Sequence, residues 1–169
     1  EQSRDILLND LNLYKNGKIF NTSVYINRRG KILNKYFKTN LWLSERAEYS
    51  PSKEALRCFK SALGKTAIII CWDIYDHQLF EMAIKQNARW IIILSFWSIN
   101  QSDDLAWKRG KVADKYNGFN DAKIIDSLIQ SRVSEYNVGI IFCNFAEIYK
   151  YMGNTGQMQH AVSAGHTQI

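Results

Sequence analysis

Cys71 is the residue whose type and position most directly suggest chemistry. It comes directly after an apolar run, residues 67–70, and directly before Trp72. A cysteine thiolate is a strong nucleophile, so Cys71 is a candidate for nucleophilic catalysis. Free cysteine is also among the most buried residue types, and a thiol after three isoleucines can simply fill a core. The elements that would position Cys71 bear on the choice between these two interpretations.

Residues 65–97 predict a βαβ unit around this cysteine. The apolar run at 67–70 and a second β-branched run at 91–94 have the composition of strands covered on both faces. The stretch between them has apolar residues at helical spacing: Leu79, Phe80, Ala83 and Ile84. Open α/β sheets carry their functional residues at the carboxyl ends of the strands, which is where Cys71 and Trp72 fall.

The remaining sequence predicts further strands and one helix. Residues 20–27 and 31–37 form a hairpin with a turn at 28–30, and residues 55–61 are a short strand. Asp121–Tyr136 is an amphipathic helix, and residues 138–144 are a strand. No element is assigned to residues 1–17, 38–51 or 98–120.

Composition limits the classes of site. The 169-residue chain has three scattered cysteines, Cys58, Cys71 and Cys143, without CxxC spacing. This pattern argues against a disulfide framework and a zinc site, and it fits a reducing, cytoplasmic compartment. The three histidines show no ligand spacing, so neither a metal nor a cofactor is predicted.

The formal net charge of +6 is spread along the chain. A spread charge favours a solvated basic surface over a nucleic-acid groove. No run is long and apolar enough to span a bilayer, and residues 1–10 lack the apolar core of a signal peptide. Because the first residue is not methionine, we expect a processed chain or a fragment.

Five segments resemble, in order and spacing, motifs of the nitrilase superfamily, the carbon–nitrogen hydrolases. GKTAIIICWD resembles the strand that delivers the family's catalytic cysteine. YFKTNLWLSERAEYSP is similar to its lysine segment with the following glutamate, and FNTSVYINRRGKILNKY to its Asn-Thr hairpin. SRVSEYNVGIIFCN and GHTQI resemble a helix end that contains arginine and a later strand. We therefore interpret residues 1–169 as one partial domain of this family.

The resemblance implies a fold and a set of partners. The fold is a four-layer α-β-β-α sandwich, with two facing sheets and helices outside, incomplete in this chain. The implied partners are a small amide, carbamoyl or nitrile substrate and a second copy of the chain, since the family usually forms homo-oligomers. Asp73 directly after Cys71-Trp72 favours an amide or carbamoyl substrate over a nitrile.

The resemblance also implies roles for individual residues. Cys71 would be the nucleophile that forms a thioester, and Lys38 would stabilise the oxyanion and lower the pKa of the thiol. Glu45, with Glu48 as a rival assignment, would orient the lysine and assist proton transfer. The backbone N–H of Trp72 would be a second oxyanion donor, and the Trp97 ring would line the substrate pocket.

Three departures from the family pattern keep other interpretations open. The glutamate that acts as general base in the family belongs to a part that precedes the hairpin, and no residue here matches it. Asn40 replaces a histidine of the lysine segment, and Asp76, His77 and Gln78 replace Phe-Pro-Glu. The chain is thus either a fragment of a hydrolase or a catalytically silent subunit, and an RNA-associated basic α/β domain is a third hypothesis.

Overall fold

The computed structural model describes residues 4–99, 121–145, 148–152, 158–163 and 167–169. The strands are β1 (Ile6–Lys15), β2 (Lys18–Ile26), β3 (Ile32–Phe37), β4 (Phe59–Ser61), β5 (Gly64–Ile70), β6 (Trp90–Ser95), β7 (Ser98–Ile99), β8 (Gly139–Asn144), β9 (Ile148–Met152) and β10 (Met158–Ser163). The α-helices are α1 (His77–Lys85) and α2 (Asp121–Tyr136), and 3-10 helices span Ser44–Ala47 and Cys71–Tyr75.

The parallel strands of the central sheet confirm the predicted βαβ unit. The sheet has the strand order β4-β5-β6-β8, in which β5, β6 and β8 are parallel and β4 is antiparallel to β5. Successive residues of β5 are all buried from Thr66 to Ile70. Because neighbouring side chains of a strand point to opposite faces, both faces of this sheet must be covered.

The two α-helices pack on this sheet, α1 against β5 and α2 against β8, and they contact one another. Phe80 of α1 stacks on Tyr136 of α2, with ring centroids 5.5 Å apart. The same core also contains Tyr25 and Tyr36 from the sheet formed by the first three strands. The helices and that second sheet therefore share one continuous core with the central strands.

Strands β1, β2 and β3 form an antiparallel sheet. The hairpin of β2 and β3 confirms the prediction, with Thr22 opposite Phe37 and Ser23 opposite Tyr36. Strand β1 was not predicted. Its pairing with β2 shifts register between Leu8 and Leu11, and such a bulge interrupts the regular alternation from which strands are recognised.

A third sheet has the order β7-β10-β9. Strand β7 falls at the start of the stretch that received no assignment. The predicted strand in GHTQI falls partly outside the described residues; within them, Gln168 forms a two-way backbone bridge with Phe142 of β8.

The fold class is α/β with mixed sheets and helices, as predicted. The central sheet, the β1–β3 sheet and one helix layer of the expected sandwich are present in the described part of the chain. A helix layer outside the β1–β3 sheet is not among the described residues. None of the helices described here is both long enough and apolar enough to cross a membrane.

Candidate active site

Cys71 lies at the turn that ends β5. Its backbone has a φ of +49°, in the left-handed region that residues with a side chain rarely adopt. Such a conformation costs about 1–3 kcal/mol and persists only where the surroundings impose it. Here the next four residues close into a 3-10 helix, and the Asp73 carboxylate accepts a hydrogen bond of 3.0 Å from Ile70 N–H.

The parallel register brings three strand ends to one edge of the central sheet. Ile70 of β5 is level with Leu94 of β6, so Cys71 and Ser95 come next on neighbouring strands. Ser95 in turn pairs with Asn144 of β8. The edge predicted to carry the functional residues therefore presents Cys71, Ser95 and Asn144 in a row.

Lys38 lies directly after β3 and is buried, with its side chain only 3% exposed. Its Nζ lies 2.6 Å from Glu45 Oε2. Its backbone N–H donates to the carbonyl of Asn21 in β2, at 2.9 Å. A buried lysine costs several kcal/mol without a partner, and the Glu45 carboxylate supplies one.

Glu45 belongs to the 3-10 helix Ser44–Ala47, in the segment without a predicted element. Besides the Lys38 ammonium, it accepts hydrogen bonds from Asn21 Nδ2 at 2.9 Å and from Trp42 N–H at 2.6 Å. The rival residue, Glu48, is exposed. Of the two predicted glutamates, Glu45 is the one in contact with Lys38.

Burial dominates the electrostatics of Cys71 and raises the pKa of its thiol. The Lys38 ammonium lowers that pKa, as do the Ser95 hydroxyl and the Phe96 N–H, while the Glu45 carboxylate raises it. The expectation of a thiol pKa below the ordinary value was wrong, because desolvation of the thiolate outweighs the attraction of the ammonium. Burial also raises the pKa of Cys58 and of Cys143.

Asp73 joins the cysteine turn to the lysine segment, a role that the sequence did not predict. Its carboxylate is fully buried and accepts hydrogen bonds from Tyr36 Oη at 2.7 Å and from Asn40 N–H at 2.7 Å, in addition to Ile70 N–H. Burial raises the pKa of Asp73 to about 6, against the opposing effect of these donors. Burial and the neighbouring Asp73 charge raise the pKa of Tyr36.

The residues that depart from the family pattern form contacts of their own. Asn40 Nδ2 donates to Asp73 Oδ1 at 3.1 Å and to Asp76 Oδ2 at 3.0 Å. Asp76 also caps α1 by accepting from Gln78 N–H at 3.0 Å. Asn40 thus links both carboxylates that flank the cysteine turn.

Aromatic rings cover the turn that follows Cys71. The Trp72 ring centroid lies 4.2 Å from that of Trp42, 4.4 Å from that of Tyr75 and 5.8 Å from that of Trp97. Trp97 is buried, whereas Trp42 and Tyr75 are exposed. A cleft of about 360 Å³ opens beside Trp72, with Asn40, Leu41, Arg46 and Tyr49 among its lining residues.

Two polar residues hold the backbone beneath these rings, and sequence analysis assigned neither of them a role. Asn144 accepts from Trp97 N–H at 2.8 Å and donates from Nδ2 to Trp97 O at 3.0 Å. Arg132 of α2 donates to the carbonyls of Ile74 and Tyr75, at 3.2 and 3.1 Å. Asn144 is a polar residue at the end of an apolar strand, and this was the available signal for it. Arg132 lies among other polar residues of its helix, so its sequence context carried no such signal.

The structure places Trp72 and Trp97 together beside Cys71. The Lys38 ammonium is close enough to act on the Cys71 thiol, and Glu45 contacts Lys38. In the described part of the chain, no three His, Cys, Asp or Glu side chains are arranged to hold a metal ion.

A family model described as carbon-nitrogen hydrolase matches residues 6–110, more than half of the chain. The chain belongs to the carbon–nitrogen hydrolase family. The match includes Lys38, Glu45, Cys71 and Trp97 and three of the five segments that carried the resemblance. The segments SRVSEYNVGIIFCN and GHTQI lie beyond it.

Individual relatives agree with this family. A probable nitrilase from Schizosaccharomyces pombe is 26% identical over 86 residues, which cover 51% of this chain and 31% of that protein. Pantetheinase from Bos taurus is 34% identical over 58 residues, covering 34% of this chain and 11% of that protein. The chain thus spans less than a third of the length of either relative.

A solved structure of a Nesterenkonia amidase from the nitrilase superfamily has the same fold. The TM-score is 0.66 at 13% sequence identity, covering 96% of this chain and 58% of the amidase chain. The arrangement of sheets and helices is thus that of the superfamily.

Proposed function

We propose that this chain carries the cysteine, lysine and supporting glutamate of a hydrolase site. The substrate is a small amide, carbamoyl or nitrile compound, whose non-peptide carbon–nitrogen bond is hydrolysed. Cys71 is the nucleophile, Lys38 stabilises the oxyanion and Glu45 orients Lys38. The Trp72 N–H is the second oxyanion donor, and the Trp97 ring forms part of the pocket wall.

The reaction on an amide has two stages. The Cys71 thiol loses its proton, its sulfur attacks the carbonyl carbon, and the Lys38 ammonium and the Trp72 N–H stabilise the negative oxygen. The C–N bond breaks, the nitrogen leaves as ammonia or an amine after taking up a proton, and a thioester remains on Cys71. Water then attacks the thioester, which releases the carboxylic acid and restores the thiol.

One observation carries this proposal: a buried ammonium, held by a carboxylate, acts on the sulfur at a strained strand end. An ammonium at that point favours any state in which negative charge develops near the sulfur, which includes both the thiolate and the tetrahedral oxyanion. A thiol that only fills a core needs no charged neighbour. Burying an ammonium beside such a thiol would cost free energy without a return.

The contacts of Glu45 favour an orienting role over that of general base. Its two oxygens already accept from Lys38 Nζ, Asn21 Nδ2 and Trp42 N–H. These three donors hold the carboxylate against the Lys38 ammonium and the backbone of Trp42. The proton of Cys71 therefore needs a different acceptor, and we assign none within the described residues.

The test is ammonia release from a panel of small amides, carbamoyl compounds and nitriles. We expect hydrolysis of at least one of them, loss of activity in Cys71→Ala, and a thioester on Cys71 detectable by mass spectrometry. Cys143→Ala is the matched control and keeps the activity. Hydrolysis that persists in Cys71→Ala, or an acyl group on another residue, would overturn the proposal.

A catalytically silent subunit is the second candidate, and the raised thiol pKa favours it. A thiol that stays protonated, with no assigned proton acceptor, would not turn over. Acrylamide separates the two candidates, since a solved structure of the Nesterenkonia amidase shows its Michael addition at that enzyme's active-site cysteine. Addition at Cys71 before Cys58 and Cys143 supports an enzyme, and equal slow addition at all three supports a silent subunit.

Two further expectations belong to this proposal, and one measurement tests the RNA-associated alternative. Self-association into a homo-oligomer is tested by sedimentation at several protein concentrations. Cytoplasmic location is supported by three cysteines that are all free thiols. Nucleic-acid binding that falls steeply with salt would instead favour the RNA-associated alternative.

A further inference from the structure

Ser95 has a buried hydroxyl that the proposed chemistry does not yet use. It is the last residue of β6 and is 7% exposed. Within the described part of the chain, Ser95 Oγ is one of four buried side-chain oxygens that lack a hydrogen-bond partner of standard geometry. Burying a hydroxyl without a partner costs about 1–3 kcal/mol, so such a group needs a reason to be there.

The register of the sheet brings this hydroxyl to the nucleophile. Ile70 pairs with Leu94, which makes Cys71 and Ser95 neighbours across adjacent parallel strands at the same edge. The Ser95 hydroxyl and the Phe96 N–H both lower the pKa of the Cys71 thiol. A donor lowers a thiol pKa by stabilising the thiolate, so both groups favour the charged sulfur.

We propose that Ser95 is a further catalytic residue, whose hydroxyl donates a hydrogen bond to the Cys71 sulfur when that sulfur is a thiolate. The proposal deepens the proposed function, because it gives the nucleophile a neutral donor on the side of β6. It also accounts for the missing partner, since a thiolate is a much stronger acceptor than a thiol.

The donor matters here because the cysteine is buried. Desolvation is the largest influence on its pKa and opposes the thiolate. A second cation would bring a large desolvation cost of its own, whereas a neutral hydroxyl stabilises the negative sulfur for the smaller cost of one buried polar group. Ser95 thus complements Lys38 without adding charge.

The test is the pH dependence of iodoacetamide alkylation, measured separately for each cysteine by mass spectrometry on the 169-residue chain. We expect Ser95→Ala to raise the midpoint for Cys71 by about one pH unit, a roughly tenfold slower reaction at a fixed pH below that midpoint. Ser95→Thr keeps the hydroxyl and should restore most of the rate. The midpoints of Cys58 and Cys143 should not change.

Ser23→Ala is the matched control. Ser23 is fully buried in β2, and its hydroxyl is another of the four without a partner, but it is not among the groups that shift the pKa of Cys71. An unchanged Cys71 midpoint in Ser95→Ala would overturn the proposal. An equal shift in Ser23→Ala would do the same, because the effect would then be a general loosening of the fold.

The alkylation measurement needs no turnover, so it separates this proposal from the proposed function. A shifted midpoint with no hydrolysis of any substrate keeps Ser95 as a thiolate donor and rejects the hydrolase. Hydrolysis that depends on Cys71 but shows no shift in Ser95→Ala keeps the hydrolase and rejects Ser95.

Discussion

Two halves of the site are built on different physical principles. The strand-end half consists of Cys71, Ser95 and Asn144, whose positions follow from the backbone register of β5, β6 and β8. The loop half consists of Lys38, Asn40 and Glu45, which are held by side-chain hydrogen bonds and one buried ion pair. Buried apolar strands fix the first, and a small number of polar contacts fix the second.

The difference determines how each half should respond to substitution. Removing one polar group from the strand-end half leaves several ladder hydrogen bonds and buried isoleucines in place. Removing one from the loop half leaves a buried partner without its counterpart, and that costs far more than the lost bond itself. Substitutions in the loop half should therefore have the larger effects.

The largest expected effect is that of Lys38→Met. Removing the ammonium leaves the Glu45 carboxylate beside a buried apolar chain, and we expect a loss of about 3–5 kcal/mol in the free energy of unfolding. The measurement is urea unfolding. Lys15→Met is the matched control, because the Lys15–Glu54 pair is half exposed on both sides and should contribute about 0–1 kcal/mol. Equal losses in the two variants would contradict a buried, structurally required pair.

Asp73→Asn should have the next largest effect, and one that depends on pH. The folded protein raises the pKa of Asp73 from 3.8 to about 6, so the folded state binds this proton more tightly than the unfolded state. The stability contributed by this group is therefore fully present below pH 4 and is lost as the pH rises through about 6. The loss amounts to about 3 kcal/mol, at roughly 1.4 kcal/mol for each pKa unit.

The wild-type advantage over Asp73→Asn should accordingly be largest near pH 4 and smallest at pH 7. The measurement is urea unfolding of both proteins at pH 4, 5, 6 and 7. Asp76→Asn is the comparison variant. Asp76 accepts a hydrogen bond from the same Asn40 amide as Asp73, but it lies at the start of α1. A difference between wild type and Asp73→Asn that does not change with pH would contradict a raised pKa.

The same contrast explains what sequence reasoning could achieve. The place of Cys71 in the strand-end half was predictable, because the apolar runs at 67–70 and 91–94 each stop at a polar or thiol residue and parallel strands share an edge. Ser95 and Asn144 of the same half received no role from the sequence. Lys38 and Glu45 were reached only through the resemblance, since nothing in the composition of their segment separates them from surface charges.

The contacts of Asp73 could not be predicted at all. They join Tyr36, Asn40 and Ile70, and two of the four donors are backbone N–H groups that no side-chain pattern reveals. Strand β1 was missed for a similar reason, because the shift between Leu8 and Leu11 is a property of its pairing with β2.

Asn144→Ala tests the strand-end half and should cost less, about 1–2 kcal/mol. It removes the two side-chain bonds to the backbone of Trp97 but leaves the ladder between β6 and β8 intact. We expect a changed tryptophan fluorescence spectrum with little change in the alkylation midpoint of Cys71. Asn34→Ala is the control, since Asn34 makes one exposed bond to the Arg57 carbonyl. A loss as large as that of Lys38→Met would remove the distinction between the two halves.

Arg132→Lys should give the smallest effect, about 1 kcal/mol. The guanidinium donates from two nitrogens to the carbonyls of Ile74 and Tyr75, and a lysine can reach only one of them with the same geometry. Glu135→Gln is the matched control, because it removes only the exposed ion pair at 2.8 Å from Arg132 and should change stability by less than about 0.5 kcal/mol. If the backbone of β5 sets the position of the sulfur, Arg132→Lys lowers stability without moving the alkylation midpoint of Cys71. A shifted midpoint would show that α2 also determines the geometry of the nucleophile, and the strand-end half would then depend on polar contacts as the loop half does.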